Sequence, residues 1–599
     1  MAPLCALVTR ALLYATAAVC LSMGTRLSRL FNLAVGHWFI LGGVMGAVLS
    51  GAIDSDHAVS VLWFFPVLAL VAGWTWLIPR HYSGFLLNPA YYATGSLGLS
   101  ALLQAYLEKI WGEGVALRDA ELPNPGLSGF YPDAILGAAI AFGIAAGTAY
   151  IVSGRIRITA RMRWALLGGG WGERLGYSPR QFLRMFLLLE IPILMFCGYL
   201  LSHDHRGSLA LAPHITVVAL LCVLGGSGSM VGCAILGLLA GLFEFSVQRW
   251  FGSILTHSTA LSIGLLGITV LAIQWFKPQT SSSVFGGAPC RFPLHRLRWE
   301  PGKTKLDRSM PIFIVCAMAI HILTPAWMNC ASLARVLFFA IIACISGISE
   351  LALGLATPCW LPFASLCVYL YAGVASPERL ALGPVTGFAT SLIGLVALAT
   401  LLPKLRSLSE ANSLLVGLSV VTFLNESFSG FAFFDGSNSI LPLPLPSWLA
   451  RSSAEKIGLF GLLIMILLIF LGLTRRWHRW ISYSAMFREP IYGVLMGTQV
   501  GKRIRYRGLV LVGLVALSAL LISFTQGGIS ASRSSLWYSF LVFLAGSLGA
   551  RLSFGAPIAL FMLIIWVFED FLGWWPVASI AASGVLLVIS GWYGARSRE

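Results

Sequence analysis

The residues of this chain whose types could do chemistry are few and scattered. Gly302, Lys303 and Thr304 stand in the order that ends a phosphate-binding loop, but the glycine required five residues earlier is Leu297, and no strand and helix flank it. Gly501 and Lys502 fail likewise, because Arg503 stands where a serine or threonine hydroxyl must meet magnesium. Nucleotide hydrolysis by that route is therefore excluded. His203, Asp204 and His205 form a possible metal cluster, yet such a trio in one short loop is more often a solvated turn. Serines and histidines occur without a nucleophile turn. Of the eleven cysteines, nine fall inside apolar runs, which gives neither a disulfide framework nor metal-ligand spacing. What remains is a sparse polar set in apolar surroundings: Asn32, Glu190, Glu244, Glu350, Asn425 and Glu569. Such residues serve passage across a barrier better than catalysis.

The elements that must position them are membrane spans. Hydrophobic residues make up 58% of the 599, charged residues 11%, and the mean hydropathy is +0.84. Apolar runs near span length recur throughout, and no soluble domain is visible. The formal charge of +17 lies in a few short loops, so it reports orientation and not nucleic-acid binding. The first apolar run, near 3–23, lacks a basic flank and a small-residue cleavage site and is expected as a retained span.

Two stretches echo each other. Residues 224–244, LGGSGSMVGCAILGLLAGLFE, return loosely about 320 residues later as 544–569, LAGSLGARLSFGAPIALFMLIIWVFE. Gly225, Gly226, Ser227, Gly228 and Gly232 mark the first, and Gly546, Ser547, Gly549 and Gly555 the second. Each ends on an acid, Glu244 or Glu569. A glycine cluster between apolar segments breaks a helix, which a membrane tolerates only beside protein or a watery cavity. The plainer alternative is that the glycines let helices pack closely. For the two acids the alternative is a position at a span end, in water.

Spans are expected near 3–23, 31–52, 59–78, 87–107, 133–153, 182–202, a broken element at 209–248, and 256–276. Loops with Arg26 and Arg29, with Arg80 and with the basic stretch 155–184 alternate with loops that are acidic or mixed, placing the N-terminus outside. That parity requires 209–248 to enter from outside, turn at the glycines and return. A basic linker follows, and the second half continues near 311–327, 336–355, 356–375, 384–402, 413–424, 455–474, 508–525, a broken element at 537–569, and 577–593. The proline-rich loop 425–448 falls outside, and the linker and C-terminus fall inside.

Two cytoplasmic loops, 168–190 and 487–510, each set a short amphipathic run beside basic residues ahead of a span. Gly176 and Gly497 are their hinge candidates. Such a segment lies on the membrane surface or fits a partner's groove; an ordinary positive-inside loop is the alternative.

These features together resemble the branched-chain amino acid type ABC permeases of the LivH and LivM kind. FNLAVGHWFILGG at 31–43 is similar to the signature after the first LivH span, GSLGLSALLQ at 95–104 to its next helix, and LGYSPRQFLR at 175–184 to its ATPase contact. LGGSGSMVGCAILG resembles its glycine-broken helix, and KPQTSSSVFGG at 277–287 its closing tail. In the second half, SGFAFFDGSNSI at 429–440 resembles the external loop of LivM, while Arg488, Glu489 and Gly497 fall in its coupling region. The stretch 354–371 departs from the family's glycine run, since Pro358, Cys359, Trp360, Pro362 and Phe363 intervene. That bulk is expected to narrow or reshape the path. Leu548 and Arg551 intrude similarly at the second glycine turn.

The expectation is an all-α polytopic membrane protein of two homologous halves, with about 8 and 9 membrane segments and glycine-broken helices. Its parts are a LivH-like half at 1–280, a linker at 281–308 and a divergent LivM-like half at 309–599. The resemblance implies the permease of an ATP-driven importer in a bacterial inner membrane, carrying branched-chain amino acids or a similar small solute such as urea or an amide. It implies two cytoplasmic ATP-binding subunits and a periplasmic binding protein as partners, with ATP used by those subunits and no cofactor bound directly. Coupling is expected at Glu173, Gly176, Tyr177, Arg180, Arg184, Arg488, Glu489, Gly497, Lys502 and Arg505. The path is expected at Asn32, Gly36, Gly225, Gly226, Gly228, Gly232, Glu244, Asn425, Gly546, Gly549 and Glu569. A secondary transporter with buried mid-span acids, or a channel-like facilitator, is the rival reading.

Overall fold

A serine or threonine inside an apolar helix must return its hydroxyl to the helix's own carbonyls when no water is near. This chain does so repeatedly. Thr16 donates to the Leu12 carbonyl at 2.6 Å, Ser22 to Val19 at 2.8 Å, Thr148 to Ile144 at 2.7 Å, and Ser518 to Val515 at 2.8 Å. Helices of that kind are the only regular elements among the described residues. The structure, a computed structural model, describes chiefly residues 2–28, 32–49, 133–151, 179–201, 211–226, 229–251, 329–353, 456–469, 500–526 and 555–567, with shorter pieces near 65–76, 96–107, 360–364 and 538–546.

The principal helices are α1 (Ala2–Ser28), α2 (Val35–Leu49), α3 (Asp133–Tyr150), α4 (Pro179–Leu201), α5 (Leu211–Gly225), α6 (Met230–Phe251), α7 (Asn329–Leu353), α8 (Val500–Gln526) and α9 (Gly555–Ile565). Three of them contain stretches long and apolar enough to cross a membrane: Leu7–Thr25, Met230–Val247 and Ser332–Ser349. By helix length and composition the chain is a multi-pass membrane protein. The outward faces agree, for α6 exposes Val231, Ile235, Leu239 and Leu242 as one stripe, and α4 exposes Met185, Leu188, Leu189 and Phe196. Apolar stripes of that extent mark a membrane or protein contact.

The described residues form two compact units, one built on Met1–Gly252 and the other on His295–Leu586. In the first, α1 is the hub, packing on α6, α3, α5 and α4, while α2 lies against α4 and α5. Its apolar stretch is 78% buried, against 39% for α6, so α1 is the inner helix and α6 a peripheral one. The α1–α6 contact is antiparallel and close because small residues face each other. A Cβ on Gly237 would stand 2.5 Å from the Ala15 Cα, and one on Gly241 2.4 Å from the Ala11 Cα. Gly237 and Gly241 are one turn apart, as are Ala11 and Ala15, so two backbones meet along a small-residue seam.

In the second unit α7 is the hub, 94% buried along its apolar stretch, with α8 and α9 packed on it. Phe339 of α7 stacks on Tyr538 with ring centroids 5.2 Å apart. The expected span 336–355 starts earlier than its apolar run, at Asn329, and α8 starts at Val500 instead of 508. Both extensions follow from residues that favour helix continuing without proline: ASLAR before Val336, and KRIRYR before Gly508.

Candidate functional site

On α1, Arg10 and Tyr14 lie one helical turn apart and therefore on one face. On α6, Glu244 shares a face with Gly237 and Gly241, which hold that face against α1. The seam thus delivers Glu244 to Arg10 and Tyr14. The Tyr14 hydroxyl donates a hydrogen bond to Glu244 Oε2, and Arg10 Nη1 donates to Oε1 at 3.3 Å. Glu244 is 4% exposed, so it is buried and not in water, although it stands three residues from the end of the α6 apolar stretch. His214, from α5, brings its ring within 6.2 Å of the Tyr14 ring, and its Nε2 is buried without a hydrogen-bond partner. A carboxylate, a guanidinium, a phenol and an imidazole therefore meet between three helices.

His214 and Glu244 are thirty residues apart in sequence, yet both stand against Tyr14. Helices α5 and α6 must consequently fold back antiparallel on each other. The turn between them holds the first glycine cluster. Gly226 N donates to the Cys222 carbonyl at 2.8 Å, Ser229 N to the Gly226 carbonyl at 2.9 Å, and Cys233 N to the Ser229 carbonyl at 2.8 Å. A Cβ on Gly226 would stand 2.6 Å from Cys233 N, so only glycine fits where the chain doubles back. Gly225 and Gly226 are buried, and Gly232 faces Gly226 across the turn.

A second polar set surrounds the start of α2. Leu33 N donates to Ser96 Oγ at 2.8 Å, Ala34 N to Asn32 Oδ1 at 3.1 Å, and Gly36 N to Thr216 Oγ1 at 3.0 Å. Side chains from separate segments thus satisfy backbone donors that a buried helix start would leave orphaned. His37 Nδ1 and Ser100 Oγ lie 2.5 Å apart nearby. Thr216 and His214 both belong to α5, so that helix serves both polar sets, Thr216 toward α2 and His214 toward α1.

The structure therefore brings Asn32, Gly36, Gly225, Gly226, Gly232 and Glu244 into one unit, around α1, α2 and the α5–α6 hairpin. Gly546 has a packing role in the other unit, since its Cβ would stand 2.3 Å from the Ala343 carbonyl of α7. Arg184 is exposed on α4. Arg180 lies on α4, and Lys502 and Arg505 on α8, with side chains outside the described residues. Glu173, Gly176, Tyr177, Gly228, Asn425, Arg488, Glu489, Gly497, Gly549 and Glu569 lie outside the described residues. Sequence reasoning missed Arg10, Tyr14 and His214. The available signal was an arginine inside the first apolar run with a tyrosine one turn on, because a charge there needs a partner.

Of the bulky stretch 358–363, Trp360, Leu361 and Phe363 are described, and all three are buried in the second unit. Trp360 is 1% exposed, meets Phe363 edge-on at 6.0 Å, and donates from Nε1 to Ser349 Oγ of α7 at 3.0 Å. Ser349→Ala should orphan that indole N–H and cost about 1–3 kcal/mol. Ser349→Thr, which keeps the hydroxyl, isolates the packing contribution, and thermal midpoints in mild detergent measure both.

The chain matches no family model, no curated protein and no solved structure.

Proposed function

We propose that the chain is the membrane-spanning permease of an ATP-driven importer, with its path running along the seam of α1, α5 and α6. The observation that supports this reading is the α5–α6 hairpin. A glycine turn at Gly226–Ser229 folds an apolar segment back on itself and sets Glu244, Tyr14, Arg10 and His214 along the buried hub helix. It is the feature on which the resemblance to branched-chain amino acid type permeases leans most. The proposed cargo is a branched-chain amino acid or a comparably compact solute such as urea or a short amide. The proposed partners are two cytoplasmic ATP-binding subunits and a periplasmic binding protein, with ATP hydrolysed on those subunits.

The test is mild-detergent purification of the tagged chain from its host, identification of co-purifying proteins, and ATP hydrolysis and uptake in proteoliposomes. Recovery of ATP-binding subunits whose hydrolysis falls at least tenfold in Arg184→Glu and Arg488→Glu is the expected result. Recovery of the chain alone, without hydrolysis, sinks it. A second reading, a secondary transporter, draws on the buried acids Glu190 of α4 and Glu244 of the span-length α6. It requires uptake driven by an imposed ion gradient without ATP.

A further inference from the structure

Glu190 takes no part in the polar seam. It stands eleven residues from either end of α4, about 16 Å along the axis each way, and is therefore central in that helix. It is 1% exposed, and its Oε1 is buried with no hydrogen-bond partner. That oxygen is directed at α1, where a Cβ built on Gly24 would stand 2.8 Å from it. Gly24 thus leaves room for one carboxyl oxygen and supplies no side-chain donor to it.

Among the described residues around it, none supplies a counter-charge; Arg26, two residues beyond Gly24 on α1, has its side chain outside them. On α1 the neighbouring titratable group is Cys20, whose thiol shares a hydrogen bond with Cys197 of α4. Cys197 in turn donates to the Ala141 carbonyl of α3 at 3.6 Å. On α2, Gly42 meets Met195 and Phe39 meets Gly198, an antiparallel register that sets His37 near the far end of α4, where it pairs with Ser100. Arg10 lies fourteen residues before Gly24 on α1 and pairs with Glu244. On α4 itself Arg184 is exposed, and on α3 so is Tyr150. An ionised carboxylate in this setting would be an unpaired charge in a medium that solvates it poorly, whereas the acid form is merely a polar group.

We propose that Glu190 is an intramembrane proton-binding site, occupied while α4 is packed on α1 and exchanged when α4 moves away from Gly24. The means of moving are in the same helix. Pro192, two residues on, cannot donate to the Leu188 carbonyl, so α4 has its weak turn beside the acid. Loss of the proton requires water to reach Oε1, and hence the two helices to part. The site belongs to Glu190 whichever energy source drives the chain.

The experiment is infrared spectroscopy of the purified full-length chain in lipid nanodiscs, in light and heavy water, across neutral to alkaline pH. The expected result is a carboxylic-acid carbonyl band at neutral pH, shifted by deuteration, lost in Glu190→Gln and kept in Glu244→Gln. A neutral-pH spectrum without that band, or a band that survives Glu190→Gln, overturns the proposal. Thermal midpoints give an independent arm. Wild type should lose stability as pH rises, because unfolding then releases the proton, while Glu190→Gln, isosteric with the acid, should lose less. Equal pH slopes in the two proteins overturn it as well.

Discussion

Valine at Gly42 or Gly198 is expected to cost more than about 3 kcal/mol and to remove most of the folded chain from a detergent extract. A Cβ on Gly42 would stand 1.9 Å from the Met195 carbonyl oxygen, and one on Gly198 2.0 Å from the Phe39 carbonyl oxygen. In both cases the obstacle is backbone, which no rotamer change relieves. Helices α2 and α4 must then separate, breaking the contact of Gly42 with Met195 and of Phe39 with Gly198. The two glycines lie on one interface, so the double substitution should cost less than the two single ones together. Gly143 is the control: nothing lies within 4 Å of its Cβ position, and alanine there should be neutral or stabilising by about 0.5–1 kcal/mol. Fluorescence-detected size exclusion after heating separates these outcomes. A Gly42→Val chain melting with wild type would mean that α2 and α4 do not pack this closely.

The second large effect belongs to Glu244. Alanine there removes the carboxylate that pairs with Arg10 and accepts from Tyr14. Removing one member of a buried pair costs about 3–5 kcal/mol. The lower end applies here, because the Arg10 side chain is 27% exposed and can reach toward a polar boundary. Tyr14→Phe removes only the phenol donor and should cost about 1–3 kcal/mol. In a Tyr14→Phe background the Glu244→Ala penalty should shrink by at least 1 kcal/mol, since the two act through one hydrogen bond. Thermal melts of the four proteins close the cycle, and strictly additive losses would show that the pair does not interact. Uptake by the folded Tyr14→Phe chain then tells whether the seam carries solute, because a path residue changes transport where a structural one changes only stability.

The class of fold was legible because membrane helices are set by length and apolarity, which composition displays directly. The first glycine cluster was legible too, since a break of that kind at Gly226 has few structural explanations. Glu244 could be named a candidate but not placed. Its burial depends on Gly237 and Gly241 meeting Ala11 and Ala15 some 230 residues away, a seam visible in sequence only as small residues one turn apart. The bulk at 358–363 was legible as a departure, whereas its destination was not: whether Trp360 enters a path or a core depends on Ser349 of α7 being there to accept its N–H. His214 was illegible for a related reason, because its neighbours are fixed by how α5 lies between α1 and α2. Helix starts ran ahead of the apolar runs, as at Val500, because lysine and arginine continue a helix readily while lowering local hydropathy.

The separation between Arg10 and Glu244 has a consequence for how the chain is made. The two are 234 residues apart, and the arginine is synthesised first. At roughly 5–20 residues per second, on the order of 10–50 s pass before its partner leaves the ribosome. Throughout that interval α1 carries its cation without Glu244, and a cation at mid-membrane would cost about 3 kcal/mol. Arg10 lies three residues inside the apolar stretch that begins at Leu7, so α1 can span with the arginine held at the headgroups until α6 brings Glu244 to it. The Arg10–Glu244 pair thus ties the first helix of the unit to one made 234 residues later.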